Sequence, residues 1–276
     1  MTVIRPSSLT TFVDCSRRFA ARHLTDRVTA AGFDLRAPGH THIGAAIGSG
    51  VHAGAAFTLE AKKATGEIGN DSEAEDRAIA EFKEISQFGL DWDDTSSTVP
   101  IAQRQIARMT KSYRRQLAPL ITPMLIEERL DIDAGDGWTV SGQADTIAGN
   151  PDDQPRDLKT GKQKRANGIQ YGAYAVIFRT HGYNVRSFVE DFVPRVGIDK
   201  EQPAPSSTDI DLSAVVPEFV EAVAEIKRAA ALFEQRLQDG REAPETAFRA
   251  NPGSGLCNAR WCPAHGTKFC RVHKAS

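Results

Sequence analysis

Asp157 and Lys159 stand two residues apart in RDLKTG, a run that reads as a short strand. On a strand they project from one face while Leu158 points to the other, so an acid and an amine are presented side by side. Asp145, near the end of the strand-like segment before it, comes alongside if the two strands pair. Two carboxylates suit Mg2+ or Mn2+, hard cations that prefer oxygen ligands and keep several waters. An adjacent lysine can hold and polarise a water or offset charge building on a phosphate. The plainer reading stays open at this point, because Asp-x-Lys is common and KTGK can be a turn with a solvated face.

A second group of metal-ligand types is sulfur. Cys257, Cys262 and Cys270 fall in LCNARWCPAHGTKFC, and Cys15 lies far upstream. No stretch approaches the roughly 18 apolar residues of a membrane helix, and MTVIRPSSLTTFVDCSRRF lacks the basic-then-apolar layout of a secretory signal. The expected location is therefore the cytoplasm, with no membrane partner, where cysteines serve as metal ligands or free thiols rather than as disulfides. His265 and His273 closely follow Cys262 and Cys270, which also permits a tetrahedral Zn2+ site of mixed ligands.

These residues need elements to position them. PSSLTTFVDCSRRFAARHL reads as one helix capped by Ser7 or Ser8, with Leu9, Phe12, Val13, Ser16 and Ala20 on one face and Cys15 and Phe19 at its edge. IGSGVHAGAAFTLEAKKATG predicts a helix starting near Ser49, with His52 in its first turn. Further helices are expected at 72–88 and 100–118, on either side of the polar turn DWDDTSS. The period then becomes alternating: MLIEERLDID and GWTVSGQADTIAG predict an antiparallel pair around AGDG, with RDLKTG as a third strand entered from the loop GNPDDQP. NGIQYGAYAVIFRTHG returns to helix, NVRSFVEDFVPR gives a strand, and the loop EQPAPSSTD leads to a long helix at about 211–239, followed by an irregular tail. The expected class is α/β or α+β: a small mixed central sheet flanked by helices. We expect one domain over 1–276, mainly helical at 1–120, with the sheet and its crossing helix at 121–200 and the long helix and cysteine tail at 205–276.

With 276 residues, 40% hydrophobic and 25% charged, the chain can bury a full core. A net charge of −2 gives no global sign of nucleic-acid binding, so any such role must lie in local patches. Arg104, Arg108, Lys111 and Arg115 recur at helical spacing as a basic stripe, and Lys162, Lys164 and Arg165 directly follow Lys159. Such residues would contact phosphates without reading sequence, although a charged helix face is more often simply solvated.

The order of these pieces is more specific than any one of them. A helical histidine in GSGVHAGAAF, an acidic strand IEERL, then GQADTI, DLKTGK and QYGAY on a helix is similar to the RecB-like branch of the PD-(D/E)XK nucleases, over most of the chain from Ser8 to Cys270. The resemblance implies a restriction-endonuclease-like core. It makes His52, Asp145 and Asp157 the ligands of Mg2+ or Mn2+ and Lys159 the catalytic lysine. Gln170 and Tyr174, at i and i+4, become the glutamine-tyrosine pair beside the active site; read alone, they are a half-buried surface pair. Glu127 is named as a supporting acid, because strand alternation does not separate it from Glu128.

In one group of such nucleases, one cysteine ahead of the motifs and three behind hold a 4Fe-4S cluster, and Cys15, Cys257, Cys262 and Cys270 resemble that layout, with wider gaps between the last three. The implied activity is a metal-dependent DNA exonuclease acting on single strands or ends. It would be bacterial or phage-encoded, with partners from recombination, CRISPR adaptation or phage replication. No GxxxxGK[ST] phosphate loop occurs, so unwinding would need one of those partners. The alternative is a catalytically lapsed nucleic-acid-binding or assembly module with Zn2+ in place of the cluster.

Overall fold

The computed structural model describes residues 1–37, 39–149, 152–165 and 167–272. His273 lies outside them, so its place near the thiols is not described. In chain order the elements are β1 (Thr2–Ile4), α1 (Leu9–Asp14), α2 (Ser16–His23), α3 (Thr25–Ala30), β2 (Thr41–His42), α4 (Ile43–Thr65), α5 (Asp71–Ser86), β3 (Leu90–Asp91) and α6 (Val99–Gln116). Then follow β4 (Pro123–Ile126), β5 (Arg129–Gly135), β6 (Trp138–Gln143), β7 (Thr146–Ala148), β8 (Gln154–Gly161), α7 (Gly168–Thr180), β9 (Phe188–Pro194), β10 (Ser206–Ile210) and α8 (Leu212–Gln238).

The predicted helices at 72–88 and 100–118, the long C-terminal helix and the strands around 129–143, 156–161 and 188–194 are all present. The class is the expected α/β arrangement, but its strands form two larger sheets rather than one. Five strands run β10-β9-β8-β7-β4, and three run β1-β6-β5. Both strands of the predicted hairpin break at the same level: β4 and β5 separate at Glu127, and β6 and β7 separate at Asp145. Glu127 takes a positive φ of 48°, and its N–H donates to the Asp145 carbonyl at 3.0 Å. The hairpin thus passes from one sheet to the other at a shared bend.

β8 and β9 are parallel, which requires a crossover, and α7 supplies it. Leu158 packs with Ala148 and Val193 against α4 and α6, while the opposite face of the sheet meets α7 and α8. The α7–α8 approach is close. A Cβ on Gly172 would fall 2.1 Å from the Val215 carbonyl oxygen, so only glycine fits there.

Several sequence expectations need correction. The N-terminal segment is not one helix: Cys15 is extended (φ −156°, ψ 100°) and separates α1 from α2. The tail causes the break, since the Arg17 N–H donates to the Arg249 carbonyl and Asn251 Nδ2 donates to the Asp14 carbonyl. Neither Ser7 nor Ser8 caps α1 through its side chain; Ser8 Oγ donates back to Arg5 in the turn Pro6–Ser8. Val13, expected on the buried face, is 67% exposed. α4 begins at Ile43 rather than near Ser49, capped by His42, so His52 sits in its interior. The expected loop EQPAPSSTD ends in β10, an edge strand whose side chains are mostly exposed and so show no apolar alternation.

The tail is irregular, as expected, but apolar residues anchor it. Phe269 is fully buried against Phe33, Phe233 and Phe248. Burial of one such ring stabilises by roughly 1.5–3 kcal/mol. Among the described residues, no helix is long and apolar enough to cross a membrane.

Candidate active site and thiol pocket

The shared bend of the hairpin places Asp145 opposite β8, because β7 and β8 pair antiparallel with Thr146 beside Arg156. The Leu158 N–H donates to Asp145 Oδ2, and His52 Nδ1 lies 2.8 Å from Asp145 Oδ1. On β8, Asp157 is buried and its Oδ2 is ion-paired with the Lys159 ammonium. Lys159 Nζ also lies 3.4 Å from Gln170 Oε1, and Gln170 Nε2 donates to the Tyr174 hydroxyl at 3.1 Å. His52, Asp145, Asp157, Lys159, Gln170 and Tyr174 are therefore linked in one cluster, drawn from α4, the hairpin bend, β8 and α7.

The charges in this cluster set one another. Burial alone would lower the His52 imidazole, but the Asp145 carboxylate beside it holds it above its ordinary value. Burial would raise Asp145, and the opposing pull of His52, Lys159 and the Leu158 N–H brings it below the usual carboxylate range. Asp157 goes the other way: burial and the Asp145 charge push it to about 6 against the pull of Lys159. Two neighbouring carboxyls are thus driven apart, as expected where both cannot ionise freely without a cation.

One ligand atom each from His52, Glu127 and Asp145 lie within 4.8 Å of one another. An imidazole nitrogen with two carboxylate oxygens suits Mn2+ or Mg2+. Glu127, named from sequence only as a supporting acid, is thereby in the donor group, whereas Asp157 faces Lys159. The turn at Glu127 also explains why strand alternation did not distinguish it from Glu128: the strand ends there.

The model of the PD-(D/E)XK nuclease superfamily matches residues 4–268. The chain belongs to that superfamily. No curated protein matches it significantly. Among solved structures, the crystal structure of a "Putative exonuclease" from Eubacterium rectale is similar, with a TM-score of 0.54 and 12% identity over 92% of this chain and 86% of that one. At that identity the likeness shows the fold. The crystal structure of SSO0001 aligns at a TM-score of 0.30 and 8% identity, over 74% of this chain and 82% of that one, too loosely to bear on the comparison.

In this PD-(D/E)XK chain the cluster opens, through His52, Asp145, Lys159 and Tyr174, onto a groove of about 1600 Å³. Of the basic residues singled out by sequence, Lys162 and Arg165 line it, with Lys162 3.2 Å from Asp93. Lys164 instead donates to Thr208 Oγ1 at 2.7 Å. The stripe on α6 does not line the groove: Arg104, Lys111 and Arg115 are exposed elsewhere, and Arg108 donates to the carbonyls of Ile198 and Lys200. Sequence reasoning missed Arg5, Arg129, Arg195 and Arg260, which do line it, as do Trp92 and Trp261. Only Trp261 carried a signal, through its place between two cysteines. Arg195, buried, holds Asp93 at 2.6 Å; although burial acts the other way, Arg195 and Lys162 keep that carboxyl far below the usual range.

Cys15, Cys257, Cys262 and Cys270 all line one small pocket, together with Arg17, Arg18 and His265. None is in a disulfide. Burial raises the thiols of Cys262 and Cys270 above their ordinary value. The break at Cys15 is what admits that residue to the group: Ser254 Oγ donates to Asp14 Oδ2 at 2.7 Å and Arg17 Nε to the Phe248 carbonyl at 3.1 Å, lacing the tail across it.

Proposed function

We propose that the chain is a Mg2+- or Mn2+-dependent DNA exonuclease, directed to single strands or ends, acting as one nuclease domain. The observation that carries the reading is the meeting of Asp145 and Lys159 on the groove wall, with Asp157 buried behind Lys159 and paired to it, in a chain that belongs to a nuclease superfamily. The exonuclease description of the structurally similar protein supports it. His52, Asp145 and Glu127 would hold the cation, with Asp157 completing the set once its carboxyl is ionised. When bound, the ion polarises the phosphodiester and makes water a stronger nucleophile. Lys159, fixed between Asp157 and Gln170, presents its ammonium to the attacking water and to charge developing on the phosphate. Tyr174 holds Gln170, and so holds the lysine. Lys162 and Arg165, with Arg5 and Arg129, would take backbone phosphates along the groove, with the stripe of α6 outside it.

The test is incubation of labelled linear and circular DNA, single- and double-stranded, with Mn2+, Mg2+ or EDTA. Linear single strands shorten in either metal, closed circles survive, and EDTA stops the reaction. Cleavage of circles at the same rate would make the enzyme an endonuclease, and no cleavage at all would leave the lapsed binding module.

For the thiol pocket we propose a structural 4Fe-4S cluster on Cys15, Cys257, Cys262 and Cys270. Four cysteines lining one small pocket match its ligand count. Zinc is the second reading, favoured by His265 on the same wall. Iron, zinc and sulfide analysis of anaerobically purified protein separates the two.

A further inference from the structure

The tail does more than close a metal pocket. Between Cys257 and Cys262 the side chain of Asn258 accepts from the backbone N–H groups of Arg260 and Trp261, at 3.0 and 3.2 Å, and fixes a turn there. The tail's other large aromatics, Phe248 and Phe269, are buried in the core; Trp261 instead lines the groove and stays part-exposed. Its ring centroid is 5.6 Å from that of His42, and the Arg260 guanidinium lies over the ring, 4.8 Å from its centroid. Arg260 Nε in turn donates to Asp91 on β3 at 2.6 Å. The next residue on the chain, Trp92, is 37% exposed and lines the same groove.

A large ring left in a polar groove forgoes much of the stabilisation that burial would give it. Flat aromatic faces beside a guanidinium are what an unpaired nucleobase recognises, because every base has a π-face and the cation meets both the ring and the neighbouring phosphate. We propose that Trp261, backed by His42 and flanked by Arg260, is a stacking platform for an unpaired base of single-stranded DNA whose backbone continues along the groove to Asp145 and Lys159. This rests on the nuclease reading and sharpens it: the thiol-bearing tail supplies a substrate contact, and the contact selects single strands, since bases in a duplex are already stacked. Trp261 is a binding residue with no part in the chemistry.

The test measures binding in EDTA of a labelled oligothymidylate of about 16 nucleotides and of an abasic oligomer of equal length, together with KM and kcat in Mn2+. Trp261→Ala should weaken oligothymidylate binding and raise KM about tenfold, leave kcat unchanged, and hardly alter binding of the abasic oligomer. Trp261→Phe should restore affinity to within about threefold. Equal loss on both oligomers, or no loss on either, would overturn the platform. If Trp261→Ala fails to fold, a Trp92→Phe variant decides. Its remaining indoles are the buried Trp138 and Trp261, so oligothymidylate must quench the emission, and absence of quenching sinks the proposal. Cleavage with Trp261-independent binding refutes the platform and spares the nuclease; Trp261-dependent binding without cleavage in Mn2+ does the reverse.

Discussion

The groove and the thiol pocket are both assembled from residues far apart in the chain, yet they are built on opposite terms. In the groove the donors are imidazole and carboxylate, already hydrogen-bonded or ion-paired with one another, in a space wide enough for a polymer. Four cysteines line one small pocket, and burial raises two of the thiols. A site that must exchange substrate sets its groups along an open groove and holds them by neighbours, so removing one changes a rate. The thiol pocket draws its cysteines from both flanks of the fold, so removing one is expected to change the fold.

The sharpest way to break this contrast is at β8. Lys159→Ala and Asp145→Asn should each lower kcat by about 10³ or more, since charge stabilisation at one position is commonly worth that much, while melting shifts by only a few degrees. Asp153→Asn, whose carboxylate accepts from the Asn184 N–H on another loop, should leave the rate alone. Full activity in the Lys159 variant would remove the site assignment.

Next in size, Cys15→Ala should release the bound metal and cost about 2–5 kcal/mol in denaturant unfolding, the range for losing a covalent clip in a small domain. His265→Ala should leave metal content unchanged. Zinc retained in the first variant and lost in the second would replace the cluster with a zinc site.

Asp157→Asn runs against the usual direction. Its carboxyl, held at about 6 against an ordinary 3.8, is favoured by the fold when protonated. The cost of its charge is therefore absent below 3.8, grows as pH rises to about 6, and is full above that. In EDTA at neutral pH the inactive Asn variant should be more stable than the parent by on the order of 3 kcal/mol, with the gain vanishing at acidic pH. A pH-independent difference would refute the charge argument.

The smallest effects concern phosphates. Replacing Lys162 and Arg165 by Ala should reduce the salt slope of DNA binding by about one unit each. Lys111 and Arg115, outside the groove, should leave it unchanged; an equal loss there would extend the binding track onto α6.

Much of this was legible in the sequence because the decisive residues are close neighbours on single elements: Asp157 and Lys159 two apart on β8, Gln170 and Tyr174 four apart on α7. The misreadings have physical causes. Gly48, Gly50 and Gly54 look like interruptions before and around His52. In fact they let neighbours come close: a Cβ at 48 would meet Thr160 Oγ1 at 2.8 Å, at 50 the Ala78 carbonyl at 2.7 Å, and at 54 Thr110 Cγ2 at 2.8 Å. Glu127 was undecided because a positive-φ turn ends the alternation. Cys15 looked helical because nothing near it in sequence announces a tail that arrives more than two hundred residues later. Arg5, Arg129 and Arg195 had no local signal; they matter through the groove they share.

The carbonyl of Val215 occupies the space that any side chain at position 172 would need, so the roll of α7 about its axis is set by a residue that touches none of the candidate catalytic groups. In a library replacing every position in turn, Gly172 should tolerate as little as Lys159 does. The two failures would look alike in an activity screen and part in the soluble fraction, where Lys159 variants remain abundant and Gly172 variants do not.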